Sequence, residues 1–483
     1  MKLHRVKRVA QLAPLFLLCA CAVGPDYVKP RAEVPAAFKE QVAWKIAQPA
    51  DLEIAQKWWE LYHDPLLNSL EEQVNISNQT LLQAEAQYRQ ARALVQGARA
   101  AYFPTVSANV SHTRSGAPSS SSPSSSGAAT SNLLTVDASW EPDIWGRVGR
   151  AVESSQASAQ ASAALVQATR LSTQAQLAQD YFQLRDLDAD RQLYDKTVAD
   201  YAKSLQLTQN QYAAGIVPKE NVVLAQTQLK TTEAQAIDFD VLRAQMEHAI
   251  ALLVGQPAST FSIARATFDT AVPVLPLGLP SALLERRPDI ANAERLMAAA
   301  NAQIGVAKAA YFPSLTIAAS GGFQSSSLAN WISLPNRLWS VGPALAQTLF
   351  DGGARRAQTD SAIAAYDASV AGYRQTVLTG FQEVEDNVAA LRILEQEALK
   401  QDEAVTLSKR SVELTINQYK AGIVNYLDVI TVETTALSNE RAAVDLLNRR
   451  LGANVLLIKA LGGGWNVAQL PDADALNGSH LEK

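Results

Sequence analysis

Two rhythms of apolar and polar positions alternate along the chain. Tyr194, Val198, Tyr201, Leu205, Thr208 and Tyr212 recur at spacings of 4, 3, 4, 3 and 4. That repeat of 3.5 is the period at which helices wind around a partner as a coiled coil. The surrounding stretch has no Pro from 143 to 217 and no Gly from 150 to 214. A breaker-free run so rich in Ala, Gln and Leu predicts long helix. Residues 150–187 alone would extend ~57 Å at ~1.5 Å per residue. A second Pro-free run covers 344–470, where the matching seam of Gln401, Val405, Ser408, Val412, Thr415 and Tyr419 is more polar. Gly215 and Gly422 close these helices, as Gly commonly does at a helix C-terminus.

The other rhythm has period two. Residues 105–115 read T-V-S-A-N-V-S-H-T-R-S and residues 314–325 read S-L-T-I-A-A-S-G-G-F-Q-S. Each predicts a strand, followed by a loop and a second strand over 133–145 and 337–350. The first loop, 116–132, is rich in Ser, Gly and Pro and reads either as a linker or as a long hairpin loop. The strands on both sides favour the hairpin. A helical stretch precedes each strand pair, over 65–100 and 281–310. Tyr-Phe-Pro ends both, because Pro biases its predecessor away from helix.

The chain is written twice. Asn210-Gln211-Tyr212-Ala213-Ala214-Gly215-Ile216-Val217 returns as Asn417-Gln418-Tyr419-Lys420-Ala421-Gly422-Ile423-Val424, at an offset of 207. Leu184-Arg185 returns as Leu391-Arg392, and Gly255 as Gly462, at the same offset; Ala101-Tyr102-Phe103-Pro104 returns as Ala310-Tyr311-Phe312-Pro313 at 209. Collinear landmarks of this kind predict two structural repeats. The first covers 65–270, with a β-hairpin over 104–146 and a helical hairpin over 150–214. The second covers 271–465, with a β-hairpin over 313–351 and a helical hairpin over 353–421. Residues 1–20, 21–64 and 466–483 read as a signal, an anchoring segment and a tail.

The N-terminus carries an address. Lys2, Arg5, Lys7 and Arg8 precede a ten-residue apolar run, too short to span a bilayer. Leu18-Cys19-Ala20-Cys21 follows, with a small residue just before Cys21 and a Leu three before it. This is similar to a bacterial lipoprotein signal. It predicts cleavage after Ala20 and a covalent lipid on Cys21, against the plainer reading of an ordinary signal peptide. Several acyl chains anchor stably where one does not. Without residues 1–20, 38 basic side chains face 47 acidic ones, a balance unsuited to sequence-independent binding of nucleic acid. Both Cys lie before residue 22, which excludes a disulfide framework and a Cys-based zinc site. The five His are scattered without metal-ligand spacing, so no metal is expected. Catalytic fingerprints are missing too. Gly462-Gly463-Gly464 leads into Trp465, where a phosphate loop needs Lys-Ser/Thr. The chain is not expected to be an enzyme.

No later segment is apolar enough for a transmembrane helix, so a membrane crossing would have to use strands. Four strands cannot close a barrel alone, and open edges are not tolerated in lipid, so several chains must share one barrel. Trp140, Trp145, Trp331 and Trp339 lie in or beside the strands, as interfacial girdles require; a soluble sandwich core would also use them. Residues 21–30 (CAVGPDYVKP), Trp58-Trp59, 283–290 (LLERRPDI), 303–315 (QIGVAKAAYFPSL) and 459–465 (KALGGGW) carry a further resemblance. With them the sequence resembles the outer membrane factor family of TolC and OprM type, in its NodT-like lipoprotein branch. The resemblance implies a mainly α protein with transmembrane β, a homotrimer with a shared twelve-stranded barrel in outer membrane lipid and a coiled-coil tunnel in the periplasm. It also implies a passive exit duct for small toxic compounds, working with a periplasmic adaptor and an inner-membrane transporter. A duct for protein secretion and a structural envelope lipoprotein are the alternatives.

A duct needs a gate rather than catalytic groups. The hairpin tips are expected near 185–190 and 392–397, with Leu184, Arg185, Leu391 and Arg392 meeting the adaptor. Glu383, Glu385, Asp386 and Arg392 crowd the helix entering the second tip. Carboxylates there become rings of three in a trimer, favouring cations and closing by pairing with Arg. Asp386, held by Arg392, is the first candidate for the gate.

Overall fold

In a computed structural model, residues 23–31, 33–40, 56–116, 129–275 and 280–477 are described. Cys21 lies outside them. Helices α1 (Pro65–Ser77) and α2 (Gln79–Ala100) lead into strands β1 (Thr105–Ser115) and β2 (Ala129–Trp140). Helix α3 (Arg147–Ala213) and its return partner α4 (Lys219–Leu253) complete the first half. The second half repeats this with α5 (Pro288–Ala309), β3 (Ser314–Ser325), β4 (Arg337–Ala346), α6 (Ala354–Lys420) and α7 (Tyr426–Ala460). The repetition extends to length: α3 and α6 have 67 residues each, and α4 and α7 have 35 each. No described helix is long and apolar enough to cross a membrane.

The four strands form one antiparallel sheet in the order β1-β2-β3-β4, so β1 and β4 are its edges. β2 starts at Ala129, inside the segment expected to be loop, because its ladder with β1 continues to Ser115↔Ala129. It ends at Trp140, before Trp145, since Glu141-Pro142 follows and Pro has no N–H for a ladder. Trp145 instead stacks on Phe312 at 4.8 Å and donates to the Pro313 carbonyl at 2.7 Å.

The expected tips are corrected. Residues 184–190 lie inside α3 and 391–397 inside α6, neither of which breaks there. The chain reverses at 214–218 and 421–425, where Gly215 and Gly422 both take φ near +74°. Those glycines were legible; nothing local turns the chain at 185 or 392. Below mid-height the 3.5-residue seam packs as read from Tyr194 to Thr208, but its last position, Tyr212, is exposed. Tyr194, Tyr201 and Thr208 are buried, and Tyr194 meets Phe239 of α4 at 4.9 Å. Tyr419 and Tyr426 pair across the second hairpin at 5.5 Å, and the Tyr419 hydroxyl meets Thr208 Oγ1 at 3.2 Å. The main core sits at mid-height, around Trp58, Trp59, Tyr181, Phe182, Leu184, Val384, Val388, Leu391 and Leu451. Leu184 and Leu391 are therefore core residues.

Candidate functional site

The sheet has two chemically different faces. Its register aligns Val106, Ala138, Ala319 and Val341 on one face, with Val110, Leu134 and Phe323 further along it. Val106, Val110, Val136, Trp339, Val341 and Leu345 on this face are each more than half exposed. An exposed apolar band two strands' width or more suits lipid rather than water. The opposite face is polar. Asp137 accepts from Asn109 Nδ2 at 2.7 Å, Thr135 Oγ1 at 2.9 Å and Ser320 Oγ at 2.5 Å. Period-two alternation in the sequence becomes one apolar and one polar face of the sheet, the division a strand of a membrane pore needs.

At mid-height the acidic cluster of α6 is divided among separate partners. Glu383 pairs with Arg287 at 2.6 Å; Arg287 is buried, also binds Asp289 at 2.6 Å and donates to the Ala460 carbonyl at 3.1 Å. Glu385 accepts from the backbone N–H groups of Lys39 and Glu40 at 2.7 and 3.0 Å. Arg392 pairs with Glu40 at 2.6 Å. Asp386 is exposed and accepts from Gln382 Nε2 at 3.3 Å. The expected Asp386–Arg392 pair is thus replaced by an Arg392–Glu40 pair. Asp386 also lies ~51 Å of helix from the end of α6 at ~1.5 Å per residue, far from the turn.

Arg185 is no tip residue either. It donates to Tyr181 Oη at 3.1 Å, to Asp188 at 3.1 Å and to the Ala264 carbonyl at 2.8 Å. Asp188 also takes Arg243 at 2.6 Å, and Arg243 reaches the Ile263 carbonyl at 2.6 Å. Sequence reading missed Asp188, Arg243 and Arg287. Asp188 and Arg287 have near neighbours in Arg185 and Asp289, but their other partners lie up to 173 residues away, where no local spacing marks them.

The turns are near-copies of each other. Ile216 N–H binds the Gln211 carbonyl at 2.9 Å, and Ile423 N–H binds Gln418 at 2.9 Å, with the glycine one residue earlier in each. Ile216 and Ile423 are left exposed at these ends.

Two carboxyl groups of the long helices are protonated well above the usual range. Burial, with the nearby Asp190 and Asp445 carboxylates, pushes Asp186 up to about 7. Burial pushes Glu433 up to about 7. An unfolded carboxyl ionises near ~4. Between ~4 and about 7 the folded chain therefore binds more protons, and stability falls as pH rises through that window. Thermal unfolding followed by circular dichroism is expected to show a midpoint that drops from pH 5 to pH 8. Asp186→Asn with Glu433→Gln should flatten that slope.

Among the described residues no group of three or more His, Cys, Asp and Glu is arranged to hold a metal ion. The chain is 31% identical over 456 residues to the probable efflux pump outer membrane protein TtgC of Pseudomonas putida, covering 93% of this chain and 94% of that one. It is 30% identical over 473 residues to the pyoverdine export outer membrane protein OpmQ of Pseudomonas aeruginosa, covering 95% and 97%. The solved outer-membrane channel OprN superposes with a TM-score of 0.85 at 30% identity, over 92% of this chain and all of that one. The open-state MtrE channel of Neisseria gonorrhoeae superposes with a TM-score of 0.79 at 27% identity, over 92% and 98%. The sequence profile of the outer membrane efflux proteins matches residues 70–256 and 279–463, one segment in each repeat. With its apolar-outside sheet and paired long helices, this chain belongs to the outer membrane efflux protein family, and it is an outer membrane channel rather than an enzyme.

Proposed function

We propose that three copies of this chain share one twelve-stranded barrel and form a passive exit duct of a tripartite efflux pump for small toxic organic compounds. The observation that carries this reading is a four-stranded sheet with an exposed apolar face and two open edges. β1 and β4 run in opposite directions, so β4 of one copy can pair antiparallel with β1 of the next and close the sheet. Closure leaves no edge in lipid. Efflux and export in the names of TtgC and OpmQ support the exit role, and the toluene efflux pump outer membrane protein of another Pseudomonas putida strain, 31% identical over 456 residues, supports the substrate class. The adaptor is proposed to meet the exposed turns around Ile216 and Ile423, which project farthest from the sheet along the helices. The exposed Asp386, in three copies, is proposed to favour cations at mid-height rather than to close the tip.

A lipid on Cys21 fits the same picture. Val23 N–H binds the Trp145 carbonyl at 3.1 Å, where the sheet joins the long helices, two residues after that Cys. The purified detergent complex is expected to have about three times the mass of one chain. Denatured, each chain should begin at an acylated Cys21. A monodisperse dimer or monomer would overturn the shared barrel, and an unmodified N-terminus would remove the lipid anchor.

A further inference from the structure

We propose that residues 38–40 form a strap that positions α6 in the duct, with Glu385 and Arg392 as the positioning residues that hold it. Glu385 and Arg392 are seven residues apart, so they lie two turns apart on nearly the same stripe of α6. Each oxygen of Glu385 takes one strap amide: Oε1 that of Lys39 at 2.7 Å, Oε2 that of Glu40 at 3.0 Å. The Glu40 carboxylate then closes onto Arg392 at 2.6 Å. Just before them Phe38 is buried in the mid-height core. A charged acceptor on two consecutive N–H groups, with an ion pair beside it, is a directed grip rather than a chance surface contact.

The strap begins far away. Val23 is bonded to Trp145, Arg150 pairs with Asp26 at 2.8 Å, Asn301 Nδ2 donates to the Pro25 carbonyl at 3.1 Å, and Tyr27 donates to Glu294 at 2.5 Å. One short segment is therefore tied first at the membrane end of the helices and again at the middle of α6. On the other flank Arg287 grips Glu383. Between these two holds α6 buries Val384, Val388 and Leu391. Beyond them, towards the turn, its buried residues are only Leu394, Ser408 and Tyr419. The helix is thus fixed at its centre, and below it rests on α7, with Tyr419 against Tyr426 and Thr208 at its end. A change at the strap is transmitted to ~42 Å of helix, residues 393–420 at ~1.5 Å per residue.

The proposal rests on the duct reading, and its test separates the two. Glu40→Arg, Arg392→Glu and the double exchange would be compared with wild type, each first shown to have the wild-type complex mass. Hydrogen exchange at the Lys39 and Glu40 amides is expected to quicken about tenfold or more in each single variant and to return towards wild type in the double exchange. Single-channel conductance in planar bilayers should rise or fluctuate more in the singles and be restored in the double. Glu385→Gln, a milder change, should give a smaller effect of the same sign on both readouts. Unchanged exchange in the singles, or no rescue, overturns the strap. Faster exchange with unchanged conductance reduces it to a passive tether and overturns its positioning role. A wild type that does not conduct counts against the duct, while the exchange result still decides the strap contact.

Discussion

Asp188→Ala is expected to be the most damaging single change outside the sheet, costing ~3–5 kcal/mol, the usual result of leaving buried charges unpaired. Asp188 has a side chain 1% exposed and accepts from two guanidiniums, those of Arg185 and Arg243, which are themselves nearly buried. Those arginines hold the carbonyls of Ala264 and Ile263, fixing the segment that follows α4. Arg185 also donates to Tyr181, whose hydroxyl reaches Asp64, the residue capping α1 through the Leu66 and Leu67 amides. One carboxylate thus joins α1, α3, α4 and the connecting segment. Among the described residues, removing it leaves Arg185 with no carboxylate partner and Arg243 with only Glu247 at 3.3 Å. Asp188→Asn keeps an acceptor oxygen and should lose less. The check is the temperature at which the detergent complex dissociates, with Asp188→Ala lowest, Asp188→Asn intermediate and wild type highest. Equal midpoints for Ala and wild type would show that the network contributes nothing.

The second large effect is expected at Gly255 and Gly462, and it contrasts with Gly215 and Gly422. All four adopt positive φ, at +68°, +95°, +74° and +74°. An L-residue there costs ~1–2 kcal/mol from backbone crowding alone. At Gly215 and Gly422 a Cβ would meet nothing within 4 Å, so Ala should cost only that. At Gly255 a Cβ would lie 2.2 Å from the Ser77 carbonyl oxygen, and at Gly462 2.1 Å from that of Arg286. Ser77 and Arg286 occupy matching places in the two repeats, each just before the helix that leads to a strand pair. Neither carbonyl can swing aside, because each is backbone beside a packed helix end. Ser77 Oγ donates to the Val254 carbonyl at 2.7 Å and Asn78 Nδ2 to Leu253 at 2.8 Å, closing the first junction. Overpacking adds ~1–3 kcal/mol to the strain, for ~2–5 kcal/mol in all. Folded yield and dissociation temperature should fall sharply for Gly255→Ala and Gly462→Ala and slightly for Gly215→Ala and Gly422→Ala. The same small loss at all four would mean that the junctions relax.

Much of this architecture is written in local pattern. Period-two segments at 105–115 and 314–325 became β1 and β3 because alternation sorts side chains between two faces of a strand. The 3.5-residue seam from Tyr194 became a helix contact because that period keeps one stripe towards a partner. Gly215 and Gly422 marked the reversals, since only glycine takes that backbone conformation cheaply. Repetition at 207 residues predicted two equal halves, and α3 and α6 match in length.

The acidic cluster of α6 followed different rules. Spacing on one helix shows which carboxylates share a stripe, but not what chain lies against it. Glu385 and Arg392 found Lys39 and Glu40 some 350 residues away, and Glu383 found Arg287. Leu184 and Arg185 read as a tip because they recur as Leu391-Arg392. The repeat instead marks two equivalent places in the mid-height core. Recurrence, helical period and turn chemistry are properties of neighbouring residues, so the sequence alone determined the strands, the long helices, the two halves and the glycines that turn them. The height at which those helices are clamped, the partner of each buried charge and the path of the N-terminal strap depend on burial and pairing between distant segments, and only the tertiary structure decided them.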